Sequence, residues 1–528
     1  MVKKYIEIFY ANKYYFPLLV LLACLPVIIL RDFTPANELR YLSIADEALR
    51  SGHFFTFMNH GTPYADKPPL YFWIIMLGKI LLGKHSMWFL SLFSFIPAFV
   101  IIQVMNKWVS PIMSAQDRLL SGAMLMTSGL FLALALVLRM DMLMCMFIVL
   151  SLYIFYKILK NRATTFDTYL FPIYIFMAVF SKGPIGIIIP LLSTTVFLVL
   201  KKQKMKWSRF WGWKTWGILL TLFAVWFLFV YLEGGGEYFN DLVFHQTFGR
   251  AIDSFHHKHA FYYYFITYWY SLAPWSIFIV VVMSLTLVRK KMRTDLELFF
   301  FVVILVTLFT LSLISSKLEV YLAPAFPFFV YLTVLFMRKL EVTKYLKWSL
   351  AFPALLLSLS LLILAYSVFF LKMEYLNSLF IWIAAVVLSV FSALGNYLLL
   401  KRKALQESIL AISVGLLLAV FIAAWALPSL NGRLGYADVC KVALKLSKEK
   451  SITKFNALSV RHAANMDVFL HTDVGEVTRT QVLENKLPES ILILKNSALK
   501  PADSLSICLQ NRERYVVEPY SLFVISDK

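Results

Sequence analysis

Long apolar runs alternate with short polar segments along most of this 528-residue chain. Runs of roughly 17–25 apolar residues have the length of a helix that crosses a bilayer. Their repetition predicts an α-helical polytopic membrane protein with about 13 transmembrane helices. The runs lie near residues 15–30, 87–106, 119–138, 143–160, 168–181, 184–200, 213–232, 266–288, 296–314, 321–337, 347–370, 378–400 and 408–427.

The first of these runs resembles the apolar part of a signal peptide, because two lysines precede it. It is followed by Arg31-Asp32-Phe33 rather than by a small-x-small cleavage site. We therefore expect Tyr15–Leu30 to remain in the protein as a membrane span.

The pattern changes at about Pro428, after which the long apolar runs stop. Short alternating stretches such as Ile491–Leu494 and Leu522–Ile525 are typical of strands, and a helix is expected near Tyr436–Lys448. The chain is thus predicted to consist of a transmembrane region, 1–428, and a small α/β domain, 429–528.

The net charge of +21 does not indicate a nucleic-acid-binding protein, because the basic residues gather at the ends of apolar runs. The positive-inside rule makes that side cytoplasmic. The opposite, extracytoplasmic side then holds loops 31–86 and 232–265, the C-terminal domain and all nine histidines. The basic clusters are Lys3-Lys4, Lys157–Arg162, Lys201–Lys204, Arg289–Lys291, Arg338-Lys339 and Lys401–Lys403.

The four cysteines show no zinc-finger or CxxC spacing. Cys24 and Cys145 fall in or beside apolar runs and are expected to pack there. Cys440 and Cys508 lie in the C-terminal region, where an extracytoplasmic location would allow them to form a disulfide.

Charged residues next to apolar runs are the candidates for chemistry. Lys67 precedes Pro68-Pro69, which fix the backbone and hold the ammonium at the lip of the next helix, a position suited to a lipid phosphate. A snorkelling lysine is the simpler alternative. Lys182 and Lys317 each follow serine residues at the end of an apolar run, which would also place a cation at the membrane interface. Arg139-Met140-Asp141 could be a structural ion pair or part of a site.

The first loop contains an amphipathic helix, predicted from about Glu38 to Ser51, that could lie on the membrane surface. The second loop, 232–265, is rich in potential metal ligands. His256 and His257 with an acidic residue could hold a divalent ion, although their spacing is not diagnostic.

Together these segments resemble the aminoarabinose transferase group of GT-C glycosyltransferases, which is related to the protein O-mannosyltransferases. The resemblance covers roughly residues 15–335. It implies a GT-C-like fold with an extracytoplasmic C-terminal domain. Each motif alone is weak, but their order and spacing make the combination specific: Glu38-x-Arg40-Tyr41, Tyr64-x-Asp66-Lys67-Pro68-Pro69, Asp141-Met142, Ser181-Lys182-Gly183-Pro184, Pro274-Trp275-Ser276 and Ser316-Lys317-Leu318-x-x-Tyr321-x-x-Pro324.

The resemblance implies that a sugar, aminoarabinose being the family's usual one, moves from a polyprenyl-phosphate donor to lipid A or another envelope glycolipid or glycan. The reaction would take place at the periplasmic face of a bacterial inner membrane. A protein acceptor is the alternative within the same donor class. The residues expected to hold the donor phosphate are Arg40, Lys67, Tyr321, Lys317 and Lys182.

One position departs from the family pattern. The family usually has Asp-Glu-x-Arg-Tyr in the first loop, and the Asp position is Asn37 here. An amide is not a carboxylate base, so either Glu38 or Asp141 takes that role, or the acceptor is already anionic and needs little deprotonation. An inactive or altered member is the remaining interpretation. Asp66 with His256 or His257 matches a possible metal site of the family, and no other cofactor is predicted.

Two other functional classes remain open. A flippase for a lipid-linked sugar would carry charges near mid-bilayer and broken helices in matched repeats, whereas the charges here gather at one interface. A non-catalytic membrane scaffold that presents the C-terminal domain would leave the loop motifs unexplained.

Overall fold

The computed structural model describes residues 15–244, 259–500 and 503–525, and most of them are helical. The α-helices are Tyr15–Leu30 (α1), Arg40–Ser51 (α2), Leu70–Leu82 (α3), Met87–Val109 (α4), Ala115–Met126 (α5), Gly129–Leu136 (α6), Asp141–Leu159 (α7), Thr165–Lys182 (α8), Ile185–Leu200 (α9), Trp207–Trp211 (α10), Trp213–Asn240 (α11), Tyr263–Ser271 (α12), Ser276–Val288 (α13), Asp295–Leu313 (α14), Phe326–Met337 (α15), Lys344–Ser358 (α16), Ser360–Phe369 (α17), Leu379–Arg402 (α18), Leu405–Ala423 (α19), Leu427–Leu434 (α20), Ala437–Lys450 (α21), Asp467–Leu470 (α22), Arg479–Leu483 (α23) and Ser504–Leu509 (α24).

Shorter helical turns and strands complete the secondary structure. A π-helix spans Pro35–Leu39, and 3₁₀ turns include Glu319–Ala325 and Ala463–Met466. The strands are Met58–Asn59 (β1), Thr62–Pro63 (β2), Phe455–Leu458 (β3), Val474–Glu476 (β4), Ser490–Lys495 (β5), Arg514–Val517 (β6) and Tyr520–Ile525 (β7).

The helices match the expected membrane spans in type and order. Within the described residues, 8 helical segments are long and apolar enough to cross a bilayer, or up to 11 if each of 3 bent pairs counts as one span. Two further predicted spans correspond to α8 and α9. Helix α8 is not among these segments, and α9 is apolar but shorter than they are. The polytopic helical fold is therefore confirmed, and the count of 13 stays a prediction.

The chain divides into two compact units, and the first consists of Met1–Ile28, Ala65–Tyr71 and Trp88–Ala424. Its centre is α15, in which all residues from Phe326 to Met337 are buried. Trp108 packs its ring against Phe300 and Phe328 at centroid distances of 5.0 and 6.1 Å. Aromatic rings of this size fill the space between helices and provide much of the packing in a bilayer, where water gives little drive for association.

Two features set the ends of α8, the helix that carries Lys182. At its start Thr164 and Asp167 form a capping box, and Lys157 of α7 places its ammonium 2.7 Å from the Asp167 carboxylate. At its end Gly183 has φ 121° and lets the chain reverse into α9. A Cβ on Gly186 would lie 2.5 Å from backbone atoms of α8, so only glycine permits the observed approach of the two helices.

The second unit consists of Ile29–Tyr64, Phe72–Met87 and Trp425–Lys528. Among its described residues, a five-stranded sheet has the order β4-β3-β5-β7-β6. Strand β3 is parallel to both β4 and β5, and β7 is antiparallel to β5 and β6. Leu458, Leu492 and Phe523 belong to the core that this sheet buries. The predicted helix near Tyr436–Lys448 is observed as α21.

The first loop packs within this second unit, which the sequence did not indicate. The Asp32 amide donates to Asn431 Oδ1 at 3.0 Å, and its carboxylate accepts from the Ala437 amide at the start of α21, at 2.9 Å. The predicted boundary between 428 and 429 therefore leaves out a part of the chain that folds with the C-terminal segment. The first loop does contain the predicted helix, observed as α2. The prediction that its apolar face lies on the membrane surface is wrong, because Leu42 and Ala45 are fully buried in this unit.

The cysteines are free thiols in the described chain. Cys440 is buried in the second unit and Cys508 is exposed, so the disulfide that the sequence allowed is not formed.

Candidate active site

Lys67 lies in the short segment between the first loop and α3. Its ammonium is 2.8 Å from Asp66 Oδ2 and donates to the Asp66 carbonyl oxygen at 3.3 Å. Both side chains are about five-sixths buried, with 16% and 17% of their surface exposed. Pro68 and Pro69 follow at once and fix the backbone on which Lys67 stands. Lys67 is thus a positioned cation, as the sequence predicted.

Asp141, at the start of α7, binds two cations. Its Oδ2 accepts from Arg139 Nε at 3.0 Å, and its Oδ1 is hydrogen-bonded to the Lys182 ammonium. Asp141 is 1% exposed and Lys182 is 7% exposed. Arg139, Asp141 and Lys182 therefore form a buried triad that carries one net positive charge.

Tyr321 joins this triad from a different element. The Lys182 ammonium lies 4.4 Å from the centre of the Tyr321 ring, a cation–π contact. Lys67 is close enough for its charge to act on Lys182. We call Lys67, Arg139 and Lys182 the basic cluster. Sequence motifs that are far apart along the chain thus meet in the first unit, and their role as phosphate ligands stays a prediction.

Lys317 is engaged differently from the lysines of the basic cluster. It is 3% exposed, and its ammonium donates to the carbonyl oxygens of His259 at 3.0 Å and Ile314 at 2.6 Å. These bonds tie together the chain segments on either side of α12–α14. Lys317 therefore holds backbone in place, and its predicted contact with the donor phosphate stays untested.

Glu319 is a carboxylate that the sequence interpretation did not use. It accepts a hydrogen bond from the Tyr263 hydroxyl at 3.0 Å, and the Tyr263 ring stacks on His259 at 4.3 Å. Glu319 occupies one of the x positions of the Lys317…Tyr321 motif, which explains why the motif did not single it out. The sequence signal that could have identified Glu319 is its position between Lys317 and Tyr321.

Glu38 is surrounded by hydrogen-bond donors of the second unit. It is fully buried and accepts a bidentate pair from the Arg31 guanidinium, each bond 2.7 Å, together with the Thr34 amide at 2.7 Å and the Thr34 hydroxyl at 2.9 Å. The lone pairs of a carboxylate held by so many donors are largely occupied. This geometry favours a structural role, in which Glu38 fixes the turn that precedes α2.

Asn37 and Arg40 occupy the turn that Glu38 fixes. The Asn37 side-chain oxygen accepts from Arg40 Nη2 at 3.3 Å. The Arg40 guanidinium lies 5.8 Å from the ring centres of both Tyr41 and Tyr64. Its Nε is buried and has no hydrogen-bond partner in the described part of the chain. A guanidinium in this state suits an anionic ligand.

The predicted metal site receives no support from the described residues. His256 and His257 lie outside them, and in the ranges that are described no three His, Cys, Asp or Glu side chains are arranged to hold an ion. The Asp66 carboxylate already binds the Lys67 ammonium. A divalent metal therefore stays a prediction from the sequence.

Known proteins resemble this chain in sequence and in fold. Residues 66–229, which include Asp66, Lys67, Asp141 and Lys182, match the family model of dolichyl-phosphate-mannose-protein mannosyltransferases. An uncharacterized protein of Aquifex aeolicus (strain VF5) is 27% identical over 356 residues, which are 65% of this chain and 69% of that protein.

The structural similarity extends over nearly the whole chain. The crystal structure of ArnT from Cupriavidus metallidurans bound to undecaprenyl phosphate superposes with a TM-score of 0.76 at 16% identity and covers 97% of this chain and 98% of its own. The apo structure of the same enzyme gives a TM-score of 0.73 with equal coverage. The chain therefore has the fold of ArnT, in agreement with the fold that the resemblance of its motifs implies.

Proposed function

We propose that this protein transfers a sugar from a polyprenyl-phosphate donor to lipid A or another envelope glycolipid or glycan. The observation that carries the proposal is the basic cluster, in which Lys67, Arg139 and Lys182 are positioned by prolines, an ion pair and a glycine turn. ArnT, whose fold this chain has, was crystallised with undecaprenyl phosphate. A lipid phosphate of that kind fits a cluster of fixed cations beside apolar helices.

The cluster suits the bond changes of the reaction. An oxygen of the acceptor forms a bond to the anomeric carbon of the sugar, and the bond from that carbon to the phosphate oxygen breaks. The electron pair leaves with the polyprenyl phosphate, whose negative charge increases. Cations that are fixed before the reaction stabilise this developing charge without having to reorganise. Asp141 offsets one of the two charges of Arg139 and Lys182, so these two residues keep one net positive charge, and Lys67, paired with Asp66, adds a positioned ammonium.

The acceptor proton needs a base only when the acceptor is a hydroxyl group. Asp141 binds two cations and Glu38 accepts at least four hydrogen bonds, so the oxygens of both carboxylates are already engaged. Glu319 accepts from a neutral phenol instead and lies on the segment that carries Tyr321. We propose Glu319 as the base for a hydroxyl acceptor, in place of the aspartate that Asn37 replaces.

We further propose that the enzyme lies in a bacterial inner membrane with about 13 spans and with the C-terminal α/β domain in the periplasm. The charge distribution of the first unit supports this orientation. Asp141 starts α7 and Lys182 ends α8, whereas the opposite helix ends carry Lys157 and Lys160. An excess of basic residues in short loops marks the cytoplasmic ends of spans, and the loop between α7 and α8 carries Lys157, Lys160 and Arg162. The other ends of α7 and α8, where Asp141 and Lys182 lie, are therefore periplasmic in this proposal.

The test is sugar transfer by purified protein in proteoliposomes, with undecaprenyl-phosphate-linked sugars as donors and extracted lipid A as acceptor, followed by mass spectrometry. We expect Lys67→Ala to lower transfer by at least about a hundredfold, because a fixed transition-state contact is worth several kcal/mol. Lys107→Ala, a change at an exposed lysine near the end of α4, is the matched control. Equal transfer by Lys67→Ala and the parent would refute the site.

Two further arms of the same assay address the alternatives. The match to protein mannosyltransferases favours a protein acceptor as the second candidate, so peptides from envelope proteins are added in place of lipid A. A labelled lipid-linked sugar that crosses the bilayer without being consumed would instead establish a flippase.

A further inference from the structure

A loop of the second unit carries two side chains, an arginine and a histidine, that can donate hydrogen bonds to an anion and that the proposed reaction has not used. Arg461 and His462 follow β3, and both are exposed. Strand β3 lies between two parallel neighbours, β4 and β5. Loops at the carboxyl ends of such strands are the usual place for ligands in open α/β sheets.

The backbone of this loop is held in a costly conformation. Ser459 has φ 57° and His462 has φ 59°, in the left-handed region that residues other than glycine rarely adopt. Backbone strain of this kind persists where the surroundings impose it and is concentrated at binding sites. The Tyr436 hydroxyl donates to the Arg461 carbonyl oxygen and helps to impose it.

The same loop is fastened to the turn that carries Asn37 and Arg40. The Asn465 side-chain amide donates to the Pro35 carbonyl oxygen at 2.9 Å, and the Asn465 backbone amide donates to the His462 carbonyl oxygen at 3.2 Å. One residue thus links the start of the π-helix to the loop. The approach of the two segments is therefore built by specific hydrogen bonds.

Positive charge is concentrated where these segments meet. The pKa of His462 is lowered, first by partial burial and then by the positive charges of Arg461 and Arg40, against the opposing effect of Glu476. Arg40 keeps a buried Nε without a protein partner among the residues described here. An anion bound at this place would offset the repulsion between the charges of Arg461 and Arg40.

We infer that Arg461 and His462 extend the anion site of Arg40 and bind a phosphate group of a lipid substrate. This inference deepens the proposed function and rests on it, because it assigns a substrate phosphate to the second unit. The shared chemistry is a phosphate monoester or diester on an amphiphile. Its source is either the polyprenyl-phosphate donor or a phosphorylated acceptor such as lipid A.

The experiment uses the full chain and the variants Arg461→Gln and His462→Asn, singly and combined. Glutamine removes the charge without touching the Arg461 carbonyl that Tyr436 binds. Asparagine tolerates the left-handed backbone and removes the imidazole, so His462→Asn keeps the loop conformation. The matched control is Lys454→Gln, which removes an exposed cation of the same unit. Thermal unfolding shows whether each variant is folded.

Two readouts separate the two sources of phosphate. Binding of undecaprenyl phosphate in detergent is measured first, and KM for lipid A and for dephosphorylated lipid A is measured second. A tenfold or greater loss of undecaprenyl-phosphate affinity in the double variant assigns the site to the donor. An unchanged affinity with a tenfold higher KM for lipid A alone assigns it to the acceptor, since one charge-assisted hydrogen bond accounts for about a tenfold change.

The inference and the proposed function fail in different ways. If the parent binds and transfers while the double variant matches Lys454→Gln in both readouts, Arg461 and His462 do not bind substrate. If the parent neither binds undecaprenyl phosphate nor transfers any sugar, the proposed function is wrong, and the inference falls with it.

Discussion

At the scale of single residues, three candidate carboxylates of the two units differ in what they bind. Glu38 binds Arg31 and Thr34, Asp141 binds two cations, and Glu319 binds a phenol. The residue types and their motifs were visible in the sequence. The Arg139–Asp141 pair was one of the alternatives that the sequence offered. The partners of Glu38 and Glu319 were not visible, because Arg31 contacts Glu38 across a turn whose shape only the fold determines. Carboxylate chemistry follows from these partners rather than from the motif.

The first prediction separates a structural carboxylate from a reacting one. Glu38→Gln is expected to destabilise the protein by about 1–3 kcal/mol, because a buried ion pair and its hydrogen bonds are lost, and to leave kcat nearly unchanged. Glu319→Gln is expected to lower kcat for a hydroxyl acceptor by about 10²–10⁴-fold with little change in stability. Thermal unfolding and initial rates on the two variants measure both effects.

The reverse result would contradict this assignment. If Glu38→Gln abolished turnover without a change in unfolding temperature, Glu38 would be the base that the sequence suggested. Glu47→Gln is the control for loss of a carboxylate in the first loop, since Glu47 only accepts from the amides of His60 and Gly61 at an exposed turn.

A second prediction concerns the buried triad. Asp141→Asn leaves Arg139 and Lys182 facing each other without a counter-charge, and breaking a buried pair in this way costs about 3–5 kcal/mol. Combining it with Lys182→Met removes the repulsion and should recover part of that loss. Chemical denaturation of the single and double variants measures the recovery. A double variant as unstable as the sum of the single changes would show that the two residues do not interact.

At the scale of elements, the apolar runs predicted the long apolar helices but not the bends. The run 119–138 reads as one helix, yet α5 and α6 meet at an angle of 73°. The break comes from tertiary hydrogen bonds: the Trp275 indole donates to the Thr127 hydroxyl at 3.1 Å, and the Gly129 amide donates to the Ala273 carbonyl oxygen at 2.9 Å. Such partners lie far away along the chain, so hydropathy alone does not reveal the bend.

The close approach of α8 and α9 gives the prediction at this scale. Gly186→Ala would place a Cβ against the α8 backbone, and the helices would have to separate. Overpacking of this kind costs about 1–3 kcal/mol. Because Lys182 ends α8, the change is also expected to lower sugar transfer. Unfolding temperature and transfer rate are the measurements.

Gly217→Ala supplies the control for this change. Gly217 is also a helical glycine, in α11, but nothing lies within 4 Å of an added Cβ. Alanine there is expected to be neutral or slightly stabilising, by up to about 1 kcal/mol. If the two alanine variants behaved alike, the contact at Gly186 would not limit the helix packing.

At the scale of the whole molecule, the two compact units do not follow the order of the chain. A change in composition at Pro428 indicated a C-terminal domain, and the observed sheet lies in that region. The sequence did not indicate that the first loop packs with it, because the contacts of Asp32 and Pro35 involve single polar groups and no shared pattern.

A further contact within the second unit, between Ser43 and Asp467, makes the stability of the protein depend on pH. Asp467 accepts from the Ser43 hydroxyl at 2.7 Å, and its pKa is raised above the usual 3.8, chiefly by burial. The folded chain therefore holds this proton more tightly than the unfolded chain. Its contribution to stability is complete at low pH and is lost as pH rises from about 3.8 through the folded pKa. Asp467→Asn removes this dependence.

The measurement compares unfolding temperatures of the parent and Asp467→Asn between about pH 4 and pH 7. Titrating groups that do not interact with Asp467 contribute equally to both proteins. The advantage of the parent should shrink as pH rises. A difference that stays constant over this range would show that Asp467 does not titrate differently on folding.

The contact between the first loop and the C-terminal segment can form only late in synthesis of the chain. Asp32 pairs with Asn431, which is 399 residues further along the chain, so at about 5–20 residues per second the partner is made roughly 20–80 s later. During that interval the loop that carries Arg40 lacks the C-terminal segment with which it forms the second unit. A ribosome that stalls before this point leaves a chain whose first loop lacks its packing partner and is open to proteolysis.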